Sequence, residues 1–320
     1  MRPSPAGDLP PLALIAGPTA SGKSALALAL ADRIVAAGRQ AVIVNADSMQ
    51  VYRDVPIVSA APTEEERTVY RHELYGAWDG ATPCSAPDWS AQAREIIGKC
   101  HTTAAVPILV GGTGMYLSVL LDGIAPIPEI DAAIRAEVRA LPVADAFSAL
   151  QTEDPEAAQR LRPKDGQRIA RALEVVRSTG QPLHHWFAQR SGGIGRQVDL
   201  YPLLFIPERK LLRDRSAIRF ARMMDEGAVD EVEALMARRL DPALPVMRAI
   251  GVPEIAAFIR GETTREEAME CGQIATRRYA KRQSTWFRRQ PPDRWPIAAK
   301  ADEALSAFDP LLDRLREEHS

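Results

Sequence analysis

The chain has 320 residues, 46% hydrophobic and 26% charged, the proportions of a globular protein long enough for one large domain or two smaller ones. A formal net charge of −2 excludes a basic field over the whole molecule, so a nucleic-acid partner would have to be held by local clusters. Cys84, Cys100 and Cys271 are scattered without metal-ligand spacing, which argues against a disulfide framework or a structural zinc and for a reducing, cytoplasmic setting.

The N-terminus reads as a short tail and not as a signal peptide, because the apolar stretch after it runs straight into a glycine-rich turn. No apolar run approaches the ~20 residues needed to span a bilayer. LALIAG (12–17) is an apolar run of the kind expected for a strand buried on both faces of a parallel sheet. GPTASGKS follows, then SALALALADRIVAAG, a helix closed by Gly38. AVIVNAD (41–47) is a second buried strand. SAPDWSAQAREIIGKCHTTA is a second helix, with Ser85 or Asp88 near its N-cap, and VPILVGG (106–112) is a third strand.

After Gly123 the pattern becomes helical, broken at Pro142, Pro155 and Pro163, and strand periodicity is absent until LYPLLFI (200–206). Within this stretch His184 and His185 lack any cysteine or HExxH context and are expected to be surface or packing residues. From Pro207 the chain is helical again, interrupted by DPALP, and helical from Arg265 to Arg289. The expected fold class is α/β: a P-loop NTPase-like, doubly wound parallel sheet carrying a helical insertion domain. The division is 1–124 and 199–320 for the core and 125–198 for the insertion.

Gly17, Pro18, Thr19, Ala20, Ser21, Gly22, Lys23 and Ser24 fit GxxxxGK[ST] directly between a strand and a helix, where that motif has physical meaning. The two glycines allow a tight backbone path, and the loop N–H groups with the helix N-terminus behind them point at phosphate oxygens. Lys23 supplies a mobile charge, and the Ser24 hydroxyl is placed to ligate Mg²⁺. The motif names phosphate and not ATP: there is no clear Walker B aspartate with a catalytic partner and no guanine-reading NKxD. Asp47, at the end of the second strand, should face the same crevice as the P-loop, as a magnesium ligand or a general base.

Residues 276–289 hold six basic residues (Arg277, Arg278, Lys281, Arg282, Arg288, Arg289) and no acid, interleaved with Tyr279, Trp286 and Phe287. On a helix Arg278, Lys281, Arg282 and Arg289 share a broad stripe, and Tyr279, Gln283 and Trp286 lie on another. The cations would meet phosphates, and Trp286 and Phe287 are expected to pack rather than stack on bases. Gln167, Arg168 and Arg171 make a second polar cluster near Arg160, Arg162 and Lys164. Arg215 and Arg219 lie four apart on one helix face, as a substrate clamp or as a solvated basic face.

GPTASGKS, NADSMQVYR (45–53), LVGGTGMYL (109–117), QRIARALE (167–174) and TRRYAKRQSTWFR (276–288) occur in this order over residues 12–290, and the chain resembles the tRNA dimethylallyltransferase family. The resemblance implies transfer of a dimethylallyl group from dimethylallyl diphosphate to the N6 amine of the adenosine 3′-adjacent to the anticodon, with release of pyrophosphate and with Mg²⁺ as cofactor. It implies the P-loop as diphosphate site, Asp47 as base, and Arg219, in preference to Arg215, as clamp. Thr113 would contact the transferred group's oxygen or the adenosine, or serve only as a helix N-cap. Contacts to tRNA would come from Asp47, Ser48, Met49, Gln50 and Thr113, from Arg135, and from Gln167, Arg168, Ile169, Ala170 and Arg171. Arg277, Arg278 and Lys281 complete that set. The target base would have to leave its stack to reach the carboxylate.

Two segments depart from the family pattern: PIVSAAPT (56–63) lacks the usual glycine and lysine, and a usual Gly-Tyr pair is Gly251-Val252. A monomer without membrane association is expected. A P-loop small-molecule kinase, a prenyltransferase for free adenine nucleotides and a nucleotide-switched RNA-binding regulator are the competing readings. Absence of ATP turnover together with release of pyrophosphate from dimethylallyl diphosphate would rule out the first, the basic helix argues against the second, and Asp47 beside the loop against the third.

Overall fold

The structure, a computed structural model, describes residues 9–318, so most of the expected N-terminal tail lies outside it. Eight strands are formed among these residues: β1 (Pro11–Ala16), β2 (Ala41–Asn45), β3 (Arg71–Glu73), β4 (Val106–Gly111), β5 (Gly123–Ile124), β6 (Ser191–Gly192), β7 (Asp199–Phe205) and β8 (Ile297–Ala298). Six of them make one sheet in the order β3-β2-β4-β1-β7-β8, parallel throughout. β1, β2 and β4 are buried along their whole length, so their sequences show no alternation. β3 and β8 are short edge strands without an apolar run, and sequence periodicity gave no sign of them.

The P-loop strand β1 lies between β4 and β7, with Ile15 opposite both Val110 and Leu203. Its C-terminal end, the end of β4 and the end of β2 therefore open on one rim. Beneath it Ile15, Ile43 and Ile108 pack with Leu30 and Ile34 of the P-loop helix Lys23–Ala36 and with Phe308 and Leu312 near the C-terminus. Each such side chain contributes roughly 1.5–3 kcal/mol on burial. The second helix runs Ala86–Thr102, and Ser85 is its N-cap.

The chain forms two compact units, one from residues through Leu120 together with those from Gly195 onward, the other from Leu121–Ile194. The second is a bundle of short helices: Ala132–Ala140, Val143–Glu153, Pro155–Arg160, Gly166–Thr179 and Leu183–Phe187. Pro142 and Pro155 stand at helix starts, where proline's missing N–H costs nothing. Val138, Leu150, Ile169 and Leu173 form its own core. The expected absence of strands before Leu200 is corrected here, because β5 and β6 pair antiparallel, Gly123 opposite Gly192, and close the unit at its base. Two residues per strand carry no periodicity to read.

Beyond β7 the helical stretch divides into Arg209–Asp225 and Ala228–Ala237, separated by Gly227 at φ 106°. A further helix, Val252–Ile259, follows DPALP, and Arg265–Phe287 is the longest of the described helices.

Candidate active site

Side chains distant in sequence converge on the P-loop. Within the loop the Ser21 N–H donates to the Pro18 carbonyl at 3.3 Å, and Gly22 takes a left-handed φ of 97° that a side chain would strain. Lys23 Nζ donates to the Pro18 carbonyl at 2.7 Å. Arg215 Nη1 donates to the Ser21 carbonyl at 2.9 Å, and Arg219 Nη2 donates to Thr19 Oγ1 at 2.8 Å. The helix Arg209–Asp225 thus sets both arginines on the loop, one turn apart. Ser21 is fully buried, and its hydroxyl has no protein partner.

A second brace comes from the helix Arg265–Phe287. The Thr19 N–H donates to Gln283 Oε1 at 2.8 Å, and Gln283 Nε2 donates to the Gly112 carbonyl at 2.8 Å. One buried amide therefore ties the P-loop to the end of β4. Gly112 has to be glycine for this: a Cβ there would stand 2.3 Å from Gln283 Nε2. Tyr279, one turn earlier, has side-chain hydrogen bonds to Thr113 and Gln283, and burial together with the Asp47 charge holds its phenol protonated.

Asp47 sits on a sharp turn after β2. The fully buried Asn45 accepts the Asp47 N–H at 2.8 Å and donates to the Asp47 carbonyl at 3.0 Å, while Asp47 Oδ1 accepts the Met49 N–H at 3.0 Å. The Thr113 hydroxyl accepts the Ser48 N–H at 2.9 Å and donates to Ser48 Oγ at 3.2 Å. Thr113 thereby joins the β4 loop to the β2 loop. Gln50 Nε2 donates to the carbonyls of Ser59 and Ala60 at 3.1 and 2.7 Å.

These groups enclose two chambers. One, of about 590 Å³, is lined by the P-loop from Thr19 to Ser24 and by Asp47, Gln50, Arg215 and Arg219. The other, of about 250 Å³, has an apolar wall of Val58, Phe220, Met223 and Ile250, with Ser48, Met49, Arg248 and Arg282 among its other residues. Thr19, Asp47, Ser59 and Arg219 belong to both. Burial lowers the Lys23 ammonium to about 8, against the opposing pull of the Asp47 charge, with Arg219 lowering it further. Burial also lowers Arg219, and Asp47 again opposes the shift. Asp47 is thus the carboxylate that offsets both cations.

No group of three histidine, cysteine or acidic side chains suited to a metal occurs among the described residues. Ser24 and Asp47 are nevertheless hard oxygen donors on one chamber. Mg²⁺ usually keeps few protein ligands and completes its shell with phosphate oxygens and water, so Ser24 with a diphosphate fits it, and Asp47 fits it only where it does not serve as a base.

Arg277, Arg278 and Lys281 are exposed, and no ion pair among the described residues engages them. Arg282 is exposed too, its guanidinium 5.5 Å from the Tyr279 ring centre. On the same helix Phe287 is 1% exposed, and the Trp286 ring lies against Gly114, so both aromatics pack. In the insertion Arg135, Gln167 and Arg168 are exposed, Ala170 and Arg171 partly so. Arg168 pairs with Asp165 at 3.0 Å, and Arg171 stands 3.7 Å from the buried Glu174. Ile169 is a correction: it is fully buried among Val138, Leu150 and Leu173, and its side chain cannot reach an RNA without opening that core.

Sequence reading missed the bracing roles of Gln283 and Tyr279, and it did not single out Arg248 or place Arg282 on the smaller chamber. The first two were visible only as a non-basic stripe on the basic helix, and nothing in the stripe names its partner.

Residues 50–290 match the IPP transferase family and residues 10–74 the Isopentenyl transferase family. The tRNA dimethylallyltransferase of Erythrobacter litoralis is 57% identical over 97% of this chain and 95% of its own length. That of Sphingopyxis alaskensis is 56% identical over 96% and 98%. The full-length tRNA isopentenylpyrophosphate transferase of Bacillus halodurans superposes with a TM-score of 0.68 at 30% identity, over 97% of this chain and 99% of that one. A eukaryotic dimethylallyltransferase acting on tRNA superposes at 0.73 with 26% identity, over 87% and 70%.

Proposed function

The chain belongs to the IPP transferase family of tRNA dimethylallyltransferases, and from that premise we propose a division of labour in which the P-loop holds the donor's diphosphate and Asp47 receives the acceptor's proton. The reaction is transfer of a dimethylallyl group from dimethylallyl diphosphate to tRNA with release of pyrophosphate. The acceptor in this reading is the N6 amine of the adenosine 3′-adjacent to the anticodon. The observation that carries it is the placement of Asp47 on the chamber that holds Lys23, Arg215, Arg219 and the open loop amides.

An adenine exocyclic amine is a weak nucleophile because its lone pair is delocalised into the ring. As N6 bonds to C1 of the donor, the allylic C–O bond breaks, the N6 proton passes to Asp47 and pyrophosphate departs. General-base help of this kind is worth roughly 10²–10⁴-fold. Charge grows on the bridging oxygen as it leaves, and the loop amides, Lys23 and the two arginines that line the chamber are the donors to meet it. Mg²⁺ held by Ser24 and the diphosphate would supply additional neutralisation of the leaving group.

The smaller chamber suits the five-carbon tail: its apolar wall meets the larger chamber at Asp47 and Arg219. The base arrives flipped from its stack, with Ser48, Met49, Gln50 and Thr113 at its edges. Arg277, Arg278 and Lys281, and Arg135, Gln167, Arg168, Ala170 and Arg171 on the insertion, take the flanking nucleotides and phosphates. This chemistry suits a monomer working where tRNA is, in the cytoplasm.

The test is to incubate the chain with labelled dimethylallyl diphosphate, Mg²⁺ and bulk tRNA, then digest and identify the nucleoside. Label on N6 of an anticodon-loop adenosine is expected, and Asp47→Ala should lose roughly 10²–10⁴-fold in turnover while still binding donor. Label elsewhere, or an Asp47→Ala variant near wild type, would overturn the assignment.

A further inference from the structure

The segment Pro56–Ser59 is a single helical turn, too short to stand by hydrogen bonding within itself. Its N-cap residue, Val55, provides no side-chain acceptor. The acceptor comes from the helix Ala228–Ala237: Glu231 Oε2 receives the Ile57 N–H at 2.7 Å, and Glu231 Oε1 receives the Val58 N–H at 2.8 Å. Both carboxylate oxygens are used, each on a different amide. Burial raises the Glu231 carboxyl, and the two amides oppose that shift by favouring the charged form.

The other end of the turn belongs to the site. The Ser59 and Ala60 carbonyls accept the Gln50 amide, and Ala60 bends the chain with a left-handed φ of 54°. Ser59 and Ala60 line the P-loop chamber beside Asp47. Two turns beyond Glu231, Arg238 pairs with Asp54 and, at 2.6 Å, with Asp79, while Asp54 Oδ2 accepts the Gly80 N–H at 2.8 Å. One helix therefore grips the loop after β2 at two places.

We propose that Glu231 is a positioning residue for donor binding: through the Ile57 and Val58 amides it holds the Ser59–Ala60 wall, and through Gln50 the loop that carries Asp47. The proposal rests on the donor reading of the P-loop chamber. Glutamine at 231 keeps the shape but offers one acceptor for two amides, and turns an N–H₂ group toward the other. The wall then loses its anchor without a cavity being opened.

The experiment measures the dissociation constant of dimethylallyl diphosphate by calorimetry on the full chain with Mg²⁺, alongside tRNA affinity and melting temperature. Losing a charge-assisted bond and leaving an amide unpaired should weaken donor binding by roughly tenfold in Glu231→Gln, with tRNA affinity, most of which comes from phosphate contacts elsewhere, lowered by no more than about twofold. Glu231→Asp, which keeps the charge with a shorter reach, should fall between. Gln50→Ala and Glu231→Gln act on the same turn, so the double variant should bind donor about as weakly as the weaker single variant. Wild-type donor affinity in Glu231→Gln would overturn the proposal. So would donor affinity, tRNA affinity and melting temperature falling together, or losses that multiply in the double variant. A wild-type chain that binds donor and transfers nothing refutes the assigned reaction, while the donor-affinity ratios still decide the role of Glu231.

Discussion

Lys23 shows how a single residue's environment becomes a property of the reaction. Burial holds its ammonium at about 8, below the ordinary lysine range. The cation that the diphosphate needs therefore prevails in the free enzyme below that pH and is lost above it. kcat/KM for dimethylallyl diphosphate should accordingly decline as the pH rises through about 8, since that quantity reports free-enzyme ionisations. Lys23→Arg, which does not titrate in this range, should lose the alkaline limb even if it binds less well. A wild-type profile that stays flat to roughly pH 9.5 would show that Lys23 is not the titrating group. At this scale the P-loop and Asp47 were legible, because each occupies a fixed offset within a local motif. Gln283 was not: its bonds reach across 264 and 171 residues, and no spacing rule encodes them.

Among the elements, the helix Arg265–Phe287 has two faces with different tasks. Gln283 and Thr276 are buried against the rest of the core, while Arg277, Arg278 and Lys281 face outward. If the outward face meets phosphates, replacing those three with glutamine should lower the salt slope of tRNA binding by roughly 2, since each phosphate contact contributes ~0.7–0.9. Melting temperature should hardly move, as exposed charges contribute little to stability. An unchanged slope would move the RNA contact to another surface. The two segments that depart from the family pattern also meet at this scale. A Cβ on Gly251 would stand 2.9 Å from Val58 Cγ1, and Val252 is 1% exposed. The altered turn is accommodated by apolar packing on one side and Glu231 on the other.

For the whole molecule, the bundle Leu121–Ile194 has its own core, and its ends pair at Gly123 and Gly192. Joining those two glycines by a short Gly-Ser link should therefore leave the remaining core folded and able to bind donor within about threefold. Transfer to tRNA should fall by roughly 100-fold or more if the insertion supplies phosphate and base contacts. Retained transfer would place RNA recognition wholly on the core. The sequence by itself determined the four long strands, the P-loop, the carboxylate at the end of the second strand and the helical insertion, because local periodicity and motif spacing carry that information. Only the tertiary structure decided that Ile169 is core, that Arg215 and Arg219 both brace the loop, and that the Glu231 carboxylate accepts the Ile57 and Val58 amides. Those outcomes depend on which faces of distant elements meet, and packing fixes that after the local pattern has done its part.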